Sequence, residues 1–297
     1  MLPTSVASLE DAAAVEAMAR RVETPCGDGV MVWHLWGGGK DGSATGRPVL
    51  LLHGGSGSWN HWVRNIGPLV EAGRLVCVPD LPGFGDSARP PSARDADALP
   101  QWVEAGAQAI LGDAACDVAA FSFGTMVAAF LAAQHPRRVA RLVFSGAPAL
   151  SAERYPPLGL RDWAHVPEGP ERDAVHRYNL RRLMLARDES VDEPALRLHA
   201  ANLVRDRMRR RRLSQTDVVL RTLPQVRCPL WGIWGALDAL YRGDRIGLVL
   251  PGLAAAPAFR SLTLVPAAGH WVQYEAAQTY NETLGAILAL PDREAAA

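Results

Sequence analysis

The chain has 297 residues, of which 48% are hydrophobic and 21% charged, a balance typical of folded globular proteins rather than disordered ones. Its 31 basic and 31 acidic residues cancel, so no charge excess indicates nucleic acid as a partner. No apolar run approaches the roughly 20 residues of a membrane span. The N-terminus carries Glu10, Asp11 and Glu16 where a signal peptide would be apolar. We therefore expect a cytoplasmic protein that does not associate with membranes.

The cysteine pattern bears on metal binding and on disulfides. The four cysteines, Cys26, Cys77, Cys116 and Cys228, lie far apart and form no CxxC pair. This spacing offers neither a disulfide framework nor a thiolate metal site. We therefore expect no bound metal. The sequence does not determine the oligomeric state, and a homo-oligomer is possible.

Short apolar runs alternate with helical segments along most of the chain. The predicted strands are 30–36, 48–52, 75–78, 117–121, 139–144, 230–234 and 262–265. The predicted helices are 6–21, 100–112 and 124–133, and residues 37–43 form a glycine-rich loop. This alternation predicts an α/β fold with a doubly wound, mostly parallel sheet.

Residues 150–224 interrupt the alternation because they are polar, rich in arginine and helical in pattern. We therefore predict a core formed by residues 1–149 and 225–297, with residues 150–224 as a helical cap. Such an insertion would lie over the carboxyl ends of the strands, where ligands bind in sheets of this kind.

A serine at the end of a predicted strand is the first candidate for chemistry. The stretch Ala120-Phe121-Ser122-Phe123-Gly124 has the layout of a G-x-S-x-G elbow, with alanine at the first glycine position. The turn strains the backbone at the serine and needs small neighbours so that strand and helix approach closely. The sequence therefore predicts Ser122 as a nucleophile, against the alternative of an ordinary buried serine.

A serine nucleophile needs a histidine base and an acid that orients it. His270 follows the last predicted strand, and Asp238 follows strand 230–234. The chain order Ser122, Asp238, His270 is the one expected for a serine elbow on an α/β sheet. Asp244 is a rival acid farther from its strand. We predict Ser122, His270 and Asp238 as the catalytic residues.

The stretch His53-Gly54-Gly55-Ser56-Gly57 directly follows a predicted strand. Its backbone N–H groups could bind a developing oxyanion, together with the N–H of Phe123 after the nucleophile. Gly55 and Phe123 are therefore the predicted oxyanion donors. His53 is expected to hold this loop by hydrogen bonds rather than to act as a base.

These motifs resemble the α/β-hydrolase superfamily over nearly the whole chain. Further landmarks are His53-Gly54-Gly55 and the stretch from Pro79 to Ser87, with the sequence PDLPGFGDS. Relatives that use aspartate at the elbow, the haloalkane dehalogenases and epoxide hydrolases, do not match Ser122. The resemblance implies hydrolysis through an acyl-enzyme or by general-base catalysis, with no metal or organic cofactor.

The end of the chain also resembles the meta-cleavage-product hydrolases, which cleave a C–C bond in vinylogous 1,5-diketones. The matching residues are 269–275, with Trp271 after the histidine, and cap residues 180–184, which include Arg182. That group holds the substrate carboxylate with a cap arginine; a rough alignment puts His199 near that position, with Arg197 two residues earlier. Its elbow usually begins with glycine and has asparagine before the serine, where this chain has Ala120 and Phe121.

The predicted substrate pocket rests on these features. The candidate substrate-binding residues are Trp59, Phe121, Arg182, His199 and Trp271. Phe121 and Phe123 predict an apolar acyl or alkyl pocket. The basic cluster Arg207, Arg209, Arg210, Arg211 and Arg212 allows two interpretations, a solvated helix face or an anchor for an anionic substrate.

We thus predict a serine hydrolase that cleaves an ester or related acyl bond of a small, partly apolar carbonyl substrate. A C–C hydrolase of the meta-cleavage type is the main alternative. A perhydrolase, thioesterase or acyltransferase could use the same three residues. A non-catalytic small-molecule receptor on the same fold would not need a complete triad.

Overall fold

A computed structural model of the chain describes residue 2 and residues 8–38 and 44–291. The strands are β1 (Arg20–Cys26), β2 (Gly29–Trp36), β3 (Val49–Leu52), β4 (Val76–Pro79), β5 (Cys116–Phe121), β6 (Val139–Ser145), β7 (Leu230–Gly235) and β8 (Phe259–Val265). The helices are α1 (Leu9–Ala17), α2 (Ile66–Glu71), α3 (Pro100–Leu111), α4 (Phe123–Gln134), α5 (Pro170–Asn179), α6 (Glu193–Val204), α7 (Val218–Thr222), α8 (Val249–Leu253), α9 (Val272–Glu275) and α10 (Ala277–Ala289). Residues 6 and 7 of the first predicted helix and residues 39–43 of the predicted loop lie outside the described residues.

The described strands form one sheet in the order β1-β2-β4-β3-β5-β6-β7-β8. Strand β2 pairs antiparallel with β1 and β4, and the pairings from β4 to β8 are parallel. The predicted α/β class with a mostly parallel sheet is therefore confirmed.

The hydrophobic core covers both faces of the sheet. In β3, Val49 and Leu51 belong to one buried cluster, and Leu50 and Leu52 belong to the other. Every residue of β3, β4 and β5 is buried. Strands covered on both faces read as continuous apolar runs, which is why the sequence located them.

Strand β1 is an element that the sequence did not predict. It forms a hairpin with β2 through residues 27 and 28, where Gly27 takes a φ of +63°. Its sequence, Arg-Arg-Val-Glu-Thr-Pro-Cys, is mostly polar because β1 lies at the edge of the sheet and exposes one side. An edge position also tolerates Pro25, which cannot donate a ladder hydrogen bond.

Between β6 and β7 the described chain contains helices and no strand. Residues 150–224, the cap segment, include α5, α6, α7 and a π-helical turn at Leu180–Met184. The boundaries predicted at 149/150 and 224/225 fall within this strand-free stretch and stay predictions. Throughout the described residues, every helix is too short or too polar to cross a bilayer.

A buried carboxylate stabilises the end of the sheet remote from the elbow. Asp117, near the start of β5, is 1% exposed and pairs with Arg74 at 2.7 Å, Arg47 at 3.2 Å and Arg141 at 3.5 Å. Arg74 and Arg141 also donate to the carbonyl oxygen of Leu288 in the last turn of α10. The carboxylate therefore links the strand to residues near the end of the described chain.

We predict that Asp117→Asn lowers the free energy of unfolding by about 3 kcal/mol, because it leaves buried arginines without their counter-charge. Ester hydrolysis per folded molecule should not change, since Ser122 lies five residues along the chain, about 16 Å away in an extended strand. Urea unfolding measures the effect. Glu23→Gln, which removes the exposed partner of Arg21, is the control and should cost less than about 1 kcal/mol. Equal costs for the two variants would contradict the prediction.

Candidate active site

Ser122 occupies the sharp turn between β5 and α4. Its φ of +48° and ψ of −116° lie outside the regions that a serine normally adopts. Its N–H donates to the carbonyl of Ser145 at 2.8 Å. A Cβ on Gly124 would lie 2.6 Å from the carbonyl oxygens of Leu52 and His53, so only glycine fits there. At the first elbow position, where the motif has glycine, the methyl group of Ala120 is accommodated and fully buried.

The three predicted catalytic side chains form one hydrogen-bonded line. His270 Nε2 lies 2.9 Å from Ser122 Oγ, and His270 Nδ1 lies 2.9 and 3.0 Å from the two Asp238 oxygens. Because the carboxylate only accepts, Nδ1 carries the hydrogen and Nε2 is free to accept the serine proton. Asp238 also accepts from the N–H of Leu240 at 2.9 Å. The rival acid Asp244 is exposed, so Asp238 is the carboxylate that faces the imidazole.

The loop that carries His270 is held by Glu275, to which the sequence assigned no role. Its carboxylate, 5% exposed, accepts from the N–H of Gly269 at 2.6 Å. It also accepts from the N–H groups of Ala186 and Arg187 in the cap segment at 2.8 to 3.0 Å. The signal in the sequence was the one charged residue in the mostly apolar stretch 271–277 after the histidine.

Two backbone N–H groups in the lining of the cavity around Ser122 have no acceptor among the described residues. Neither the N–H of Gly55 nor that of Phe123 donates to another described residue, and both residues line the same cavity as Ser122. Phe123 is the first residue of α4, where an N–H has no partner within the helix. A Cβ on Gly55 would lie 3.5 Å from the Cβ of Phe123, so the two donors are neighbours. This arrangement suits an oxyanion.

His53 holds the loop that contains Gly55. Its Nε2 accepts from the N–H of Leu81 at 2.9 Å, so its Nδ1 carries the hydrogen and donates to the carbonyl of Gly54 at 2.7 Å. Burial lowers the pKa of His53 and keeps the ring neutral. These bonds agree with the predicted loop-holding role.

The space above Ser122 is a cavity of about 540 Å³. Of the predicted substrate-binding residues, Phe121 and His199 line it. Its apolar and aromatic lining residues are Phe121, Phe123, Pro148, Tyr155, Leu158, Leu160, Trp163, Leu183, Met184, Leu203 and Leu240. Most of these belong to the cap segment, so the cap supplies most of the apolar wall.

Three predicted substrate-binding residues need correction, because the structure places them outside this lining. Trp59 is 4% exposed and packs against the rings of His34 and Trp36. Trp271 is 1% exposed, stacks on Tyr274 at 4.1 Å and donates to the carbonyl of His61. Arg182 donates to the carbonyl of Leu158 at 3.1 Å. Each side chain is committed to packing or to the backbone.

The basic cluster divides into different roles. Arg209, Arg210 and Arg212 are exposed, as in the solvated-face interpretation. Arg211 instead lines the cavity with its side chain 17% exposed and paired with Asp206 at 2.9 Å. Nothing in a run of similar arginines marks which one turns inward, so the sequence could not single out Arg211.

Two further imidazoles line the cavity and are uncharged. Burial lowers the pKa of His199 to about 3, and its Nε2 has no hydrogen-bond partner among the described residues. Burial also lowers the pKa of His61 well below its usual value. His61 Nδ1 accepts from the N–H of Gly54 at 3.2 Å, so its hydrogen is on Nε2. The cavity wall thus offers neutral polar groups at both positions.

Comparison with known proteins identifies the fold family of this chain. A family model described as alpha/beta hydrolase fold matches residues 47–179. The chain is 30% identical over 285 residues to the 2-hydroxymuconate semialdehyde hydrolase of Pseudomonas sp. (strain CF600), covering 85% of this chain and 90% of that protein. This chain belongs to the α/β-hydrolase fold family. It is a hydrolase of that fold.

Other members of the α/β-hydrolase family extend the comparison. The 2-hydroxy-6-oxo-6-phenylhexa-2,4-dienoate hydrolase of Burkholderia cepacia is 26% identical over 254 residues, covering 80% of this chain and 86% of that protein. Carboxylesterase CesB of Bacillus subtilis superposes with a TM-score of 0.74 at 16% identity, covering 91% of this chain and 92% of that one. At this identity the structural match speaks for the fold alone.

The buried neutral histidines predict that stability falls in acid. The pKa of His199 is about 3 in the folded chain and about 6.5 in the unfolded chain, so the unfolded chain binds a proton first as pH falls. Below pH 6.5 His199 should therefore lower the free energy of unfolding by up to about 1.4 kcal/mol for each unit by which the pH falls. Urea unfolding of the Ser122→Ala protein, measured from pH 7 to pH 5, should show this loss. Adding His199→Gln to that parent should reduce the slope of the free energy of unfolding against pH.

The control for this slope is His165→Gln, since the His165 side chain is 92% exposed. It should leave the pH dependence as in the parent. If His199→Gln and His165→Gln gave the same slope, the buried imidazole would not be its source.

Proposed function

We propose that this α/β hydrolase cleaves esters of small, partly apolar acids, with Ser122 as nucleophile, His270 as base and Asp238 as the acid that orients it. The observation that carries the proposal is the unbroken line of hydrogen bonds from Ser122 through His270 to Asp238. This line ends in a cavity with two unpaired N–H donors beside the hydroxyl.

The reaction follows from the hydrogen-bond directions. His270 Nε2 takes the proton of Ser122 as Oγ attacks the substrate carbonyl, and the negative oxygen binds the N–H groups of Gly55 and Phe123. Asp238 stabilises the imidazolium that forms. His270 then gives the proton to the leaving alcohol, and a water molecule repeats the sequence on the acyl-enzyme. No step in this scheme uses a metal or an organic cofactor.

The walls of the cavity favour an acyl group with little charge. Phe121, Leu183 and Met184 are among its apolar lining residues. The resemblance puts His199 near the place of the cap arginine of the meta-cleavage hydrolases, and His199 is neutral because burial lowers its pKa to about 3. Arg211 already neutralises Asp206. Arg161 also lines the cavity but is exposed, so water screens its charge. Burying a carboxylate away from a counter-charge is costly, so we expect an ester to fit better than a dienoate.

C–C cleavage is the second candidate because two relatives that match 80% or more of this chain are named as hydrolases of 2-hydroxymuconate semialdehyde and of a phenylhexadienoate. The same serine, histidine and aspartate would act after the substrate ketonises, with a carbanion equivalent as leaving group. A receptor without activity is disfavoured, since the backbone strain at Ser122 costs about 1 to 3 kcal/mol and brings no benefit to a binder. Location in the cytoplasm stays a prediction.

We predict that wild-type protein hydrolyses p-nitrophenyl esters from acetate to octanoate and that Ser122→Ala reduces kcat by about 10⁴-fold or more, because no nucleophile remains. The acyl chain length that is hydrolysed fastest would indicate the length of the acyl pocket. Ser145→Ala is a matched control, since its hydroxyl contacts Tyr280 behind the elbow at 3.1 Å. It should keep kcat within about threefold of wild type. Retention of ester turnover by Ser122→Ala would overturn the proposal.

The choice between ester and C–C cleavage is a separate prediction. We expect kcat/KM for the preferred ester to exceed that for a meta-cleavage dienoate, because His199 offers the carboxylate no positive charge. His199→Arg should raise dienoate turnover relative to ester turnover by about tenfold, the effect of one charge-assisted hydrogen bond. Dienoate turnover far above ester turnover in wild type would instead establish C–C hydrolysis.

A further inference from the structure

The loop that carries Gly55 is fastened by a carboxylate of the cap segment. Ser56 Oγ donates to Asp206 Oδ2 at 2.6 Å, across 150 residues of sequence. The Asp206 side chain is 3% exposed. It also accepts from Arg211 Nη1 at 2.9 and 3.0 Å and from the N–H of Met208 at 2.7 Å. One buried carboxylate therefore joins the oxyanion loop to the cap.

Ser56 needs such a partner because its backbone is strained. Its φ is +48°, in the left-handed region that non-glycine residues avoid. A residue keeps this conformation only when its surroundings fix it. Gly55 directly precedes Ser56, so relaxation of Ser56 would rotate the peptide group between them and displace Gly55. The bond to Asp206 opposes that relaxation.

Arg211 also contacts Gly55, through its guanidinium group. Its guanidinium lies over the rings of Phe84 and Phe123, at 5.0 and 5.2 Å from their centres. Arg211 Nη2 is 2.9 Å from the position that a Cβ on Gly55 would take. The side chain therefore packs directly on the predicted oxyanion donor, and Asp206 holds it there.

The same part of the cap makes further bonds to the core. Asn202, 1% exposed, accepts from Ser58 Oγ at 2.9 Å and exchanges hydrogen bonds with Asn60. The backbone N–H of Arg207 donates to the carbonyl of Gly83 at 2.9 Å. Residues 202–211 are thus bonded both to the chain that follows Gly55 and to the loop of Gly83.

We propose that Asp206 is a positioning residue for the oxyanion hole. Through the hydroxyl of Ser56 it holds the N–H of Gly55 next to that of Phe123, so the hole is complete only while residues 202–211 are docked. The inference rests on the proposed function, because it assigns a supporting residue to the same reaction.

Asp206→Asn and Ser56→Ala test this role with a p-nitrophenyl ester and a boronic acid. A boronic acid forms a tetrahedral adduct with a serine nucleophile and so reports on the oxyanion hole. Each variant should lower kcat by about 10- to 100-fold, less than the loss of a whole oxyanion donor, with KM within about threefold. Affinity for the boronic acid should fall by a similar factor. A residue that only stabilises the fold would lower the melting temperature and leave the kcat of the folded fraction unchanged.

Because Ser56 acts through its bond to Asp206, the double variant should be no more than about threefold slower than the slower single variant. The control is Asp86→Asn, which breaks an exposed ion pair between core and cap at Arg205. It should leave kcat and boronic acid affinity unchanged. If Asp206→Asn does not fold, Ser56→Ala carries the test, since it removes one hydroxyl from a half-buried position.

Wild-type kcat and boronic acid affinity in Asp206→Asn or Ser56→Ala, or multiplied losses in the double variant, would overturn the inference. The proposed function would survive that result as long as Ser122→Ala is inactive. Ester turnover that persists in Ser122→Ala would overturn both.

Discussion

The closeness of helix α4 to strand β3 is the constraint on which the site depends. The carbonyl oxygens of Leu52 and His53 occupy the space where a Cβ on Gly124 would lie, at 2.6 Å. This approach forces the chain to turn within one residue, which places Ser122 at a φ of +48° with its hydroxyl above the sheet. The same turn leaves the N–H of Phe123 without a helical partner and beside the hydroxyl. The proposed nucleophile and the proposed oxyanion donor therefore both depend on one packing contact.

Burial of the surrounding polar groups adds to that geometry. Asp238 and His270 are almost fully buried, and the imidazoles of His53, His61 and His199 have pKa values that burial lowers. In such surroundings the dipoles that face the reacting atoms are screened less than they would be in water. The histidines that hold the loops stay neutral, so they fix positions without competing with His270 for its proton.

The sequence was informative where function depends on local order along the chain. Short apolar strands covered on both faces located the sheet. The residues that directly follow them predicted Ser122, Asp238 and His270, which the structure brings into one hydrogen-bonded line. It failed for β1, whose polar edge pattern resembles a loop. It also failed for Trp59, Trp271 and Arg211, because a tryptophan or arginine near the site can point inward or pack elsewhere. That choice depends on tertiary contacts, which spacing does not encode.

Two buried carboxylates, one in the core and one in the cap segment, hold the loops of the candidate site by hydrogen bonds. Glu275 belongs to the core and accepts from cap amides at Ala186 and Arg187, as well as from Gly269 beside the catalytic histidine. Asp206 belongs to the cap and accepts from Ser56 beside the oxyanion donor. A shift of the cap would therefore disturb the base on one side and the oxyanion loop on the other. On the proposed mechanism, changes in the cap segment should therefore alter kcat as well as KM, so their effects need both constants to be measured.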